Sequence, residues 1–217
     1  MTTKVFIADD HAIVREGLRR VLATEPSIVV AGEAGNGHEV MSAVRAGGFE
    51  VLLLDLSMPG RSGVDLIKQV KADRPELRIL VLSMHDEQQY AERAIRAGAS
   101  GYLTKDTAAK QLVAAVTRVA AGGMFITPGV AEALAARLQS PAQDLPHKRL
   151  SDREYEVFRL LAAGESVSSI AEQLHLSVKT VSTHKTHVLE KMNLGSLAEL
   201  VRYAISHKLL DSPDLPT

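Results

Sequence analysis

Acidic, hydroxyl and lysine side chains follow short apolar runs in the first half of the chain. Asp9 and Asp10 follow KVFIA, Asp55 follows VLLL, Ser83 follows ILVL and Lys105 follows GYLT. Short continuous apolar runs that end in turn residues predict strands buried on both faces. If these strands are parallel, their carboxyl ends meet at one edge of the sheet, where open α/β sheets bind their ligands.

Three carboxylates at one edge predict a metal site. Like charges from Asp9, Asp10 and Asp55 repel one another unless a cation lies between them. An all-oxygen set with room for water suits Mg²⁺. The main-chain carbonyl of Ser57, two residues past Asp55, completes the predicted protein ligands.

Lys105 and Ser83 add a cation and a hydroxyl to the same edge. Together with the metal they predict that an anion binds there, and a phosphoryl group is the simplest candidate. Asp55 is then the predicted nucleophile, forming an aspartyl phosphate, while Lys105 neutralises charge on the phosphoryl oxygens. No competing phosphate loop is present, since GEAGNG at 32–37 is not G-x-G-x-x-G and no Walker motif occurs.

The elements that would position these residues alternate between strand and helix five times. The predicted strands are 4–10, 28–31, 51–54, 79–82 and 101–104, with 32–37 as a turn, and the predicted helices are 12–22, 38–45, 64–71, 88–96 and 108–121. This alternation favours an α/β fold with a parallel sheet covered on both faces. Five strands suit the flavodoxin-like order 2-1-3-4-5.

The second half changes character after Met124. We predict one extra helix at 128–138, a proline-containing linker at 139–149, and then an all-α domain with helices at 151–162, 167–174, 178–192 and 196–207. The predicted domains are therefore 1–122 and 150–213, with 123–149 between them. The closely spaced helices 167–174 and 178–192, with Ser177 as an N-cap, indicate a helix-turn-helix.

One face of helix 178–192 carries hydroxyls and lysines, which can contact base edges and phosphates. On the residues alone, a solvated face of a small helical bundle is an equally good interpretation. The net charge of −1 adds nothing to either, so any DNA affinity must come from a local patch.

The composition is that of an ordinary globular chain. It has 217 residues, of which 46% are hydrophobic and 24% charged, and no cysteine. Disulfides and thiolate metal sites are therefore excluded. No apolar run approaches the roughly 18 residues of a membrane span. We expect a cytoplasmic protein without membrane association.

The motifs IADDH, DLSMPGRSG and GYLTKD, with Ser83 between them, resemble the receiver domain of two-component response regulators over about residues 1–122. The resemblance implies a sensor histidine kinase as phosphoryl donor and Asp55 as phosphoacceptor. It also implies that Asp10 binds Mg²⁺ directly and that Asp9 acts largely through water.

The same resemblance implies a conformational switch. Ser83 and Lys105 would contact the phosphoryl group, and Tyr102 would be the aromatic switch residue. Movement of the Ser83 hydroxyl toward the phosphoryl group would leave space for the Tyr102 ring to turn inward.

The strings LSDREYEVFRLLAAGES and IAEQLHLSVKTVSTHKTHVLEKMNL resemble the LuxR-type DNA-binding domain over about 150–210. Combined with the receiver, they point to the NarL/FixJ group, whose second helix lies in the major groove. The resemblance puts base contacts at Ser182, Thr183 and Thr186, and backbone contacts at or near Lys179, Thr180, His184 and Lys185. Val167-Ser168-Ser169 departs from the commoner string of that family, and helix 196–207 resembles its dimer-forming helix.

The sequence thus predicts a non-enzymatic transcription factor that binds double-stranded DNA as a homodimer after phosphorylation. One alternative is a Mg²⁺-dependent aspartyl-phosphate phosphatase. Ser57 argues against it, because many such enzymes place an aspartate general acid two residues after the nucleophile. A second alternative is a phosphorylation-independent DNA binder with a degenerate receiver, but the intact acidic set argues against that.

Overall fold

The computed structural model describes residues 2–56, 58, 63–83, 88–127, 130–132, 135, 145–174, 176–207 and 209–210. The chain divides into two compact units, Met1–Ala135 and Ala136–Thr217. Most of the predicted helix 128–138 and of the predicted linker 139–149 lies outside the described residues, as does Ser57.

The first unit is built on a five-stranded parallel sheet with the order β2-β1-β3-β4-β5. The strands are β1 (Thr3–Ala8), β2 (Ile28–Ala34), β3 (Val51–Asp55), β4 (Arg78–Ser83) and β5 (Gly101–Thr104). The helices are α1 (Ala12–Leu22), α2 (Gly37–Ala46), α3 (Gly63–Asp73), α4 (Gln88–Arg96) and α5 (Lys105–Ala120). This order confirms the predicted α/β fold.

Strand β3 lies at the centre of the sheet and is buried along its whole length. Its apolar residues Val51 and Leu53 belong to the same core as Val5, Leu80 and Leu103 from the other strands. Because β3 has a hydrogen-bonded neighbour on both sides, its backbone is fixed up to Asp55, which pairs with Leu82 of β4. The rigid central strand therefore fixes the position of Asp55.

Strand β2 is longer than predicted, and the predicted turn at 32–37 is wrong in its first half. Gly32, Glu33 and Ala34 continue the pairing with β1 after a register shift between Val5 and Phe6. A Cβ on Gly32 would lie 2.7 Å from the Phe6 ring, so the close approach requires glycine. Gly and Glu disfavour strands, and pairing with β1 overrides that local signal. Helix α5 likewise begins at Lys105, three residues before the predicted start.

The segment after α5 adds to the edge of the sheet. The Tyr102 N–H donates to the Phe125 carbonyl at 2.9 Å, and the Phe125 N–H donates to the Ser100 carbonyl at 3.1 Å. A Cβ on Gly101 would lie 2.7 Å from the Phe125 oxygen. Residues just past the predicted boundary at 122 thus pack on the first unit, and the boundary itself stays a prediction.

The second unit is helical, as predicted. It contains a 3₁₀ helix (Pro146–Arg149), α6 (Asp152–Ala162), α7 (Val167–Gln173), α8 (Val178–Met192) and α9 (Leu197–Ser206). Ser151 and Glu154 form a capping box at the start of α6. The Ser177 hydroxyl caps α8 by accepting from the Thr180 N–H at 3.0 Å. No helix in the described parts of the two units is long and apolar enough to span a membrane.

The 3₁₀ helix lies within the predicted linker 139–149, yet it packs into the second unit. His147 is 1% exposed, and its Nδ1 lies 2.7 Å from the Tyr203 hydroxyl of α9. The segment PHKR shows no hydrophobic period, so a pattern of apolar residues could not reveal a contact made by an imidazole.

Candidate functional site

The carboxyl edge of the sheet brings two buried aspartates and a lysine together. Asp9 follows β1, Asp55 ends β3, and Lys105 follows β5. The Lys105 Nζ lies 2.7 Å from Asp9 Oδ2 and 2.8 Å from Asp55 Oδ2. The aspartates are 0% and 1% exposed, so these charges meet in a region that water hardly reaches.

The Lys105 ammonium is held in its charged form. Burial opposes that form, but hydrogen bonds and charges from Asp55 and Asp9 outweigh it, so the pKa of Lys105 is raised above its ordinary value. A fixed positive charge thus lies directly beside the Asp55 carboxylate, where an arriving anion would need it.

Asp10 and His11 form the solvent side of this cluster. The Asp10 side chain is partly exposed, and its Oδ1 lies 2.8 Å from His11 Nδ1. The His11 main-chain N–H donates to Asp9 Oδ1 at 2.8 Å. His11 was not predicted as a site residue, although its place directly after the aspartate pair was visible in the sequence.

The cluster fits a divalent cation. Ligand atoms of Asp9, Asp10, His11 and Asp55 all lie within 4.8 Å of one another. Three of the four groups are carboxylates, and hard oxygen ligands suit Mg²⁺. The fourth predicted ligand, Ser57, lies outside the described residues.

Ser83 and Tyr102 lie on the neighbouring strands β4 and β5. Ser83 pairs with Thr104 at the same carboxyl edge and is 3% exposed. Tyr102 pairs with Val81, two residues further back along the strands, and is 2% exposed. The Tyr102 side chain is thus buried.

Arg15 supports the site from α1, although no motif in the sequence identifies it as a site residue. Its Nη1 donates to the Asp9 main-chain carbonyl at 2.7 Å, and its Nε donates to Glu33 at 3.0 Å. Arg19 also pairs with Glu33. Arg15 therefore connects α1 to the ends of β1 and β2, where the acidic pair begins. In the sequence, Arg15 is one of the polar residues of the predicted helix 12–22, and nothing there indicates its contact with the Asp9 carbonyl.

In the second unit, four of the predicted DNA-contact residues share an exposed face of α8. These are Lys179, Ser182, Thr183 and Thr186. The Thr183 hydroxyl donates to the Lys179 carbonyl at 3.0 Å, and the Thr186 hydroxyl donates to the Ser182 carbonyl at 3.1 Å. Because both hydroxyl hydrogens are used within the helix, each threonine hydroxyl can act only as an acceptor toward a partner.

The other three predicted contact residues are less exposed. The Thr180 hydroxyl lies 2.8 Å from the Ser177 hydroxyl, and Lys185 is half-buried. His184 is also half-buried, and its Nδ1 has no hydrogen-bond partner among the described residues. Burial, then the Arg153 charge, lowers the pKa of His184, although Glu154 opposes this. The structure places His184 toward α6, away from the exposed face of α8.

Two families match the chain, one on each unit. Residues 5–117 match the response regulator receiver domain, and residues 148–204 match the bacterial regulatory proteins of the luxR family. The parallel sheet with its acidic edge and the helical second unit agree with these matches. The chain belongs to the NarL/FixJ-type response regulators, which are DNA-binding transcription regulators with a receiver domain and a LuxR-type domain.

Relatives match the chain over nearly all of its length. The oxygen regulatory protein NreC of Staphylococcus carnosus is 40% identical over 215 residues, covering 96% of this chain and 99% of NreC. A structure of the RcsB response regulator of Salmonella typhimurium is 31% identical, with a TM-score of 0.70 over 95% of this chain and 98% of that one. RcsB from Salmonella enterica serovar Typhimurium, bound to promoter rprA with the phosphomimetic BeF₃⁻, is 31% identical, with a TM-score of 0.66 over 94% and 100%.

Proposed function

We propose that this chain is a transcription regulator switched by phosphorylation of Asp55, with a sensor histidine kinase as the phosphoryl donor. The observation that carries the proposal is the Lys105 ammonium held between Asp9 and Asp55 at the sheet edge. The RcsB structure that combines promoter DNA with a phosphomimetic supports a coupling of phosphorylation to DNA binding. Residues 1–122 would receive the signal and 150–213 would bind DNA.

In the transfer, an Asp55 carboxylate oxygen attacks phosphorus while the bond to the donor nitrogen breaks, and the donor keeps that electron pair. Lys105 neutralises a phosphoryl oxygen and leaves its contact with Asp55 to do so. Asp9, Asp10, Asp55 and the Ser57 carbonyl would hold Mg²⁺, which neutralises further charge on the phosphoryl group when bound.

Ser83 and Tyr102 would pass the change outward. Ser83 lies at the carboxyl edge, and its O–H would donate a hydrogen bond to a phosphoryl oxygen. The inward position of Tyr102, buried beside β4, would then be stabilised in the phosphorylated protein. Phosphorylation would act by favouring one of two arrangements of this strand pair.

Helix α8 would lie in the major groove of double-stranded DNA. Ser182, Thr183 and Thr186 would contact bases, and Lys179 would contact the phosphate backbone. Thr180, His184 and Lys185 would contribute less, because each is partly buried. A homodimer through α9, where Ile205 is 48% exposed, would match two half-sites.

Phosphorylation of the full chain with acetyl phosphate and Mg²⁺ tests the first step. Wild type should gain one phosphoryl group by intact mass, whereas Asp55→Asn should gain none. Asp65→Asn, an exposed aspartate on α3, is the matched control and should label like wild type. A phosphoryl group on Asp55→Asn would refute the assignment.

Selection of bound sequences from random duplex DNA tests the second step. The phosphorylated protein should enrich an inverted repeat more strongly than the unphosphorylated protein does. Equal enrichment in both states would contradict control by phosphorylation. An absence of enrichment in either state would contradict the DNA-binding function itself.

A further inference from the structure

Val178 is an exposed apolar residue at the start of α8. Its exposed fraction is 51%, which is high for a large aliphatic side chain. The helix buries Val181, Val188 and Met192 in the core of the second unit. Val178 thus lies outside the stripe that packs the helix, and the fold does not account for an apolar residue there.

Val178 shares the exposed side of α8 with the predicted base contacts. Residues four apart lie above one another on a helix, so Val178, Ser182 and Thr186 follow one line along its surface. The Val178 side chain is at the N-terminal end of this line. In helix-turn-helix proteins the N-terminal residues of the second helix are those that contact base edges.

The chemistry of this line suits one base in particular. In the major groove, thymine alone presents a methyl group, and apolar side chains contact it. The Ser177 hydroxyl beside Val178 accepts from the Thr180 N–H and lies 2.8 Å from the Thr180 hydroxyl. The Ser177 and Thr180 hydroxyls therefore already have partners within the first turn of α8. The Val178 isopropyl group is the exposed apolar group beside them.

We infer that Val178 is a specificity-determining residue that contacts the 5-methyl group of a thymine in each half-site. This inference rests on the proposed DNA-binding function and adds to it the identity of one base. Covering the methyl group and the isopropyl group removes apolar surface of both from water.

The test replaces thymine by deoxyuridine, which removes only the 5-methyl group. The probe is the duplex most enriched from random DNA by the phosphorylated wild-type protein, with one thymine of each half-site replaced at a time. At one position the substitution should weaken wild-type binding about fourfold per half-site. Val178→Ala should bind the thymine and deoxyuridine duplexes equally at that position.

Two further variants control for folding and for position. Val178→Thr keeps the shape of the side chain and should lose part of the discrimination. Val167→Ala changes the first residue of the other helix of the pair and should discriminate like wild type. The inference is overturned if wild type tolerates deoxyuridine at every position, or if Val178→Ala and Val178→Thr keep the full discrimination. Failure of wild type to bind any duplex would instead overturn the proposed function, and this inference with it.

Discussion

The acidic edge of the first unit and the exposed face of α8 are built in opposite ways. At the edge, Asp9 and Asp55 are almost fully buried and are ion-paired to Lys105, which lies 50 residues beyond Asp55. On α8, Lys179 and Thr183 are exposed and lie within one helix. The first arrangement depends on the whole sheet, whereas the second depends on one helix and its cap.

This difference separates stability from function. A buried charge that loses its partner destabilises the fold, because the remaining charge is left without compensation. An exposed side chain can be replaced at little cost, because water takes its place. Substitutions at the acidic edge should therefore alter folding and chemistry together, and substitutions on the exposed face of α8 should alter binding alone.

The largest expected effect is that of Lys105→Met. Without Mg²⁺, the variant leaves the buried Asp9 and Asp55 carboxylates without their cation, so the free energy of unfolding should fall by about 3 kcal/mol. Native-state hydrogen exchange of the β3 amides measures this for the first unit alone. Added Mg²⁺ should recover part of the loss, because a cation would again lie among the carboxylates.

Lys68→Met is the matched control for Lys105→Met. Lys68 pairs with Asp65 at the surface, where both side chains are more than half exposed. Its removal should change stability by less than about 1 kcal/mol. A similar loss in the two variants would show that burial of the acidic edge has no special energetic role.

The acidic edge was predictable because each of its residues directly follows an apolar strand. The pattern located Asp9, Asp55, Ser83 and Lys105, and the sheet order confirmed that their strands are neighbours. The contact of Arg15 with the Asp9 carbonyl was not predictable, since a main-chain acceptor leaves no mark in the sequence.

The second unit shows the same limit. Helical spacing predicted both ends of α8 correctly. It did not distinguish the exposed positions of the helix from half-buried ones such as His184. That residue lies beside the buried stripe, and a polar type at such a position predicts exposure by default. The burial of His147 was not predictable either, because it accompanies a hydrogen bond to Tyr203, which is distant in sequence.

The second largest effect on stability is expected for Glu154, a buried carboxylate in the second unit. Burial raises the pKa of Glu154, but hydrogen bonds from Lys191 and Ser151 outweigh it, so its pKa lies below the ordinary 4.5. The ionised group therefore stabilises the fold at pH above that value, and the contribution is lost as pH falls through the lowered pKa. Glu154→Gln should cost about 1.5 kcal/mol at pH 7.

Hydrogen exchange of the α6 amides at several pH values checks the Glu154 prediction. The difference between wild type and Glu154→Gln should be constant from pH 7 to about pH 5 and should shrink in stronger acid. Glu165→Gln is the control, since that residue is exposed. A difference that grows as pH falls would contradict the sign of the pKa shift.

A smaller effect is expected for Tyr203→Phe. The variant removes the hydroxyl that lies 2.7 Å from His147 Nδ1 and leaves the ring contact in place. Loss of one hydrogen bond should lower the stability of the second unit by about 1 kcal/mol. Thermal unfolding of Tyr203→Phe beside wild type measures the loss. An unchanged midpoint would show that the 3₁₀ helix is held without this bond.

The smallest effect on stability, and the sharpest on function, is expected on α8. Lys179→Ala should weaken binding to all sequences and lower the salt slope by about 1, because one phosphate contact is lost. Thr183→Ala should instead change which sequences are bound, at an unchanged salt slope. Both variants should unfold within about 0.5 kcal/mol of wild type. If Thr183→Ala weakened binding to every sequence equally, or if either variant lost as much stability as Lys105→Met, then the exposed face of α8 would belong to the fold in the way the acidic edge does.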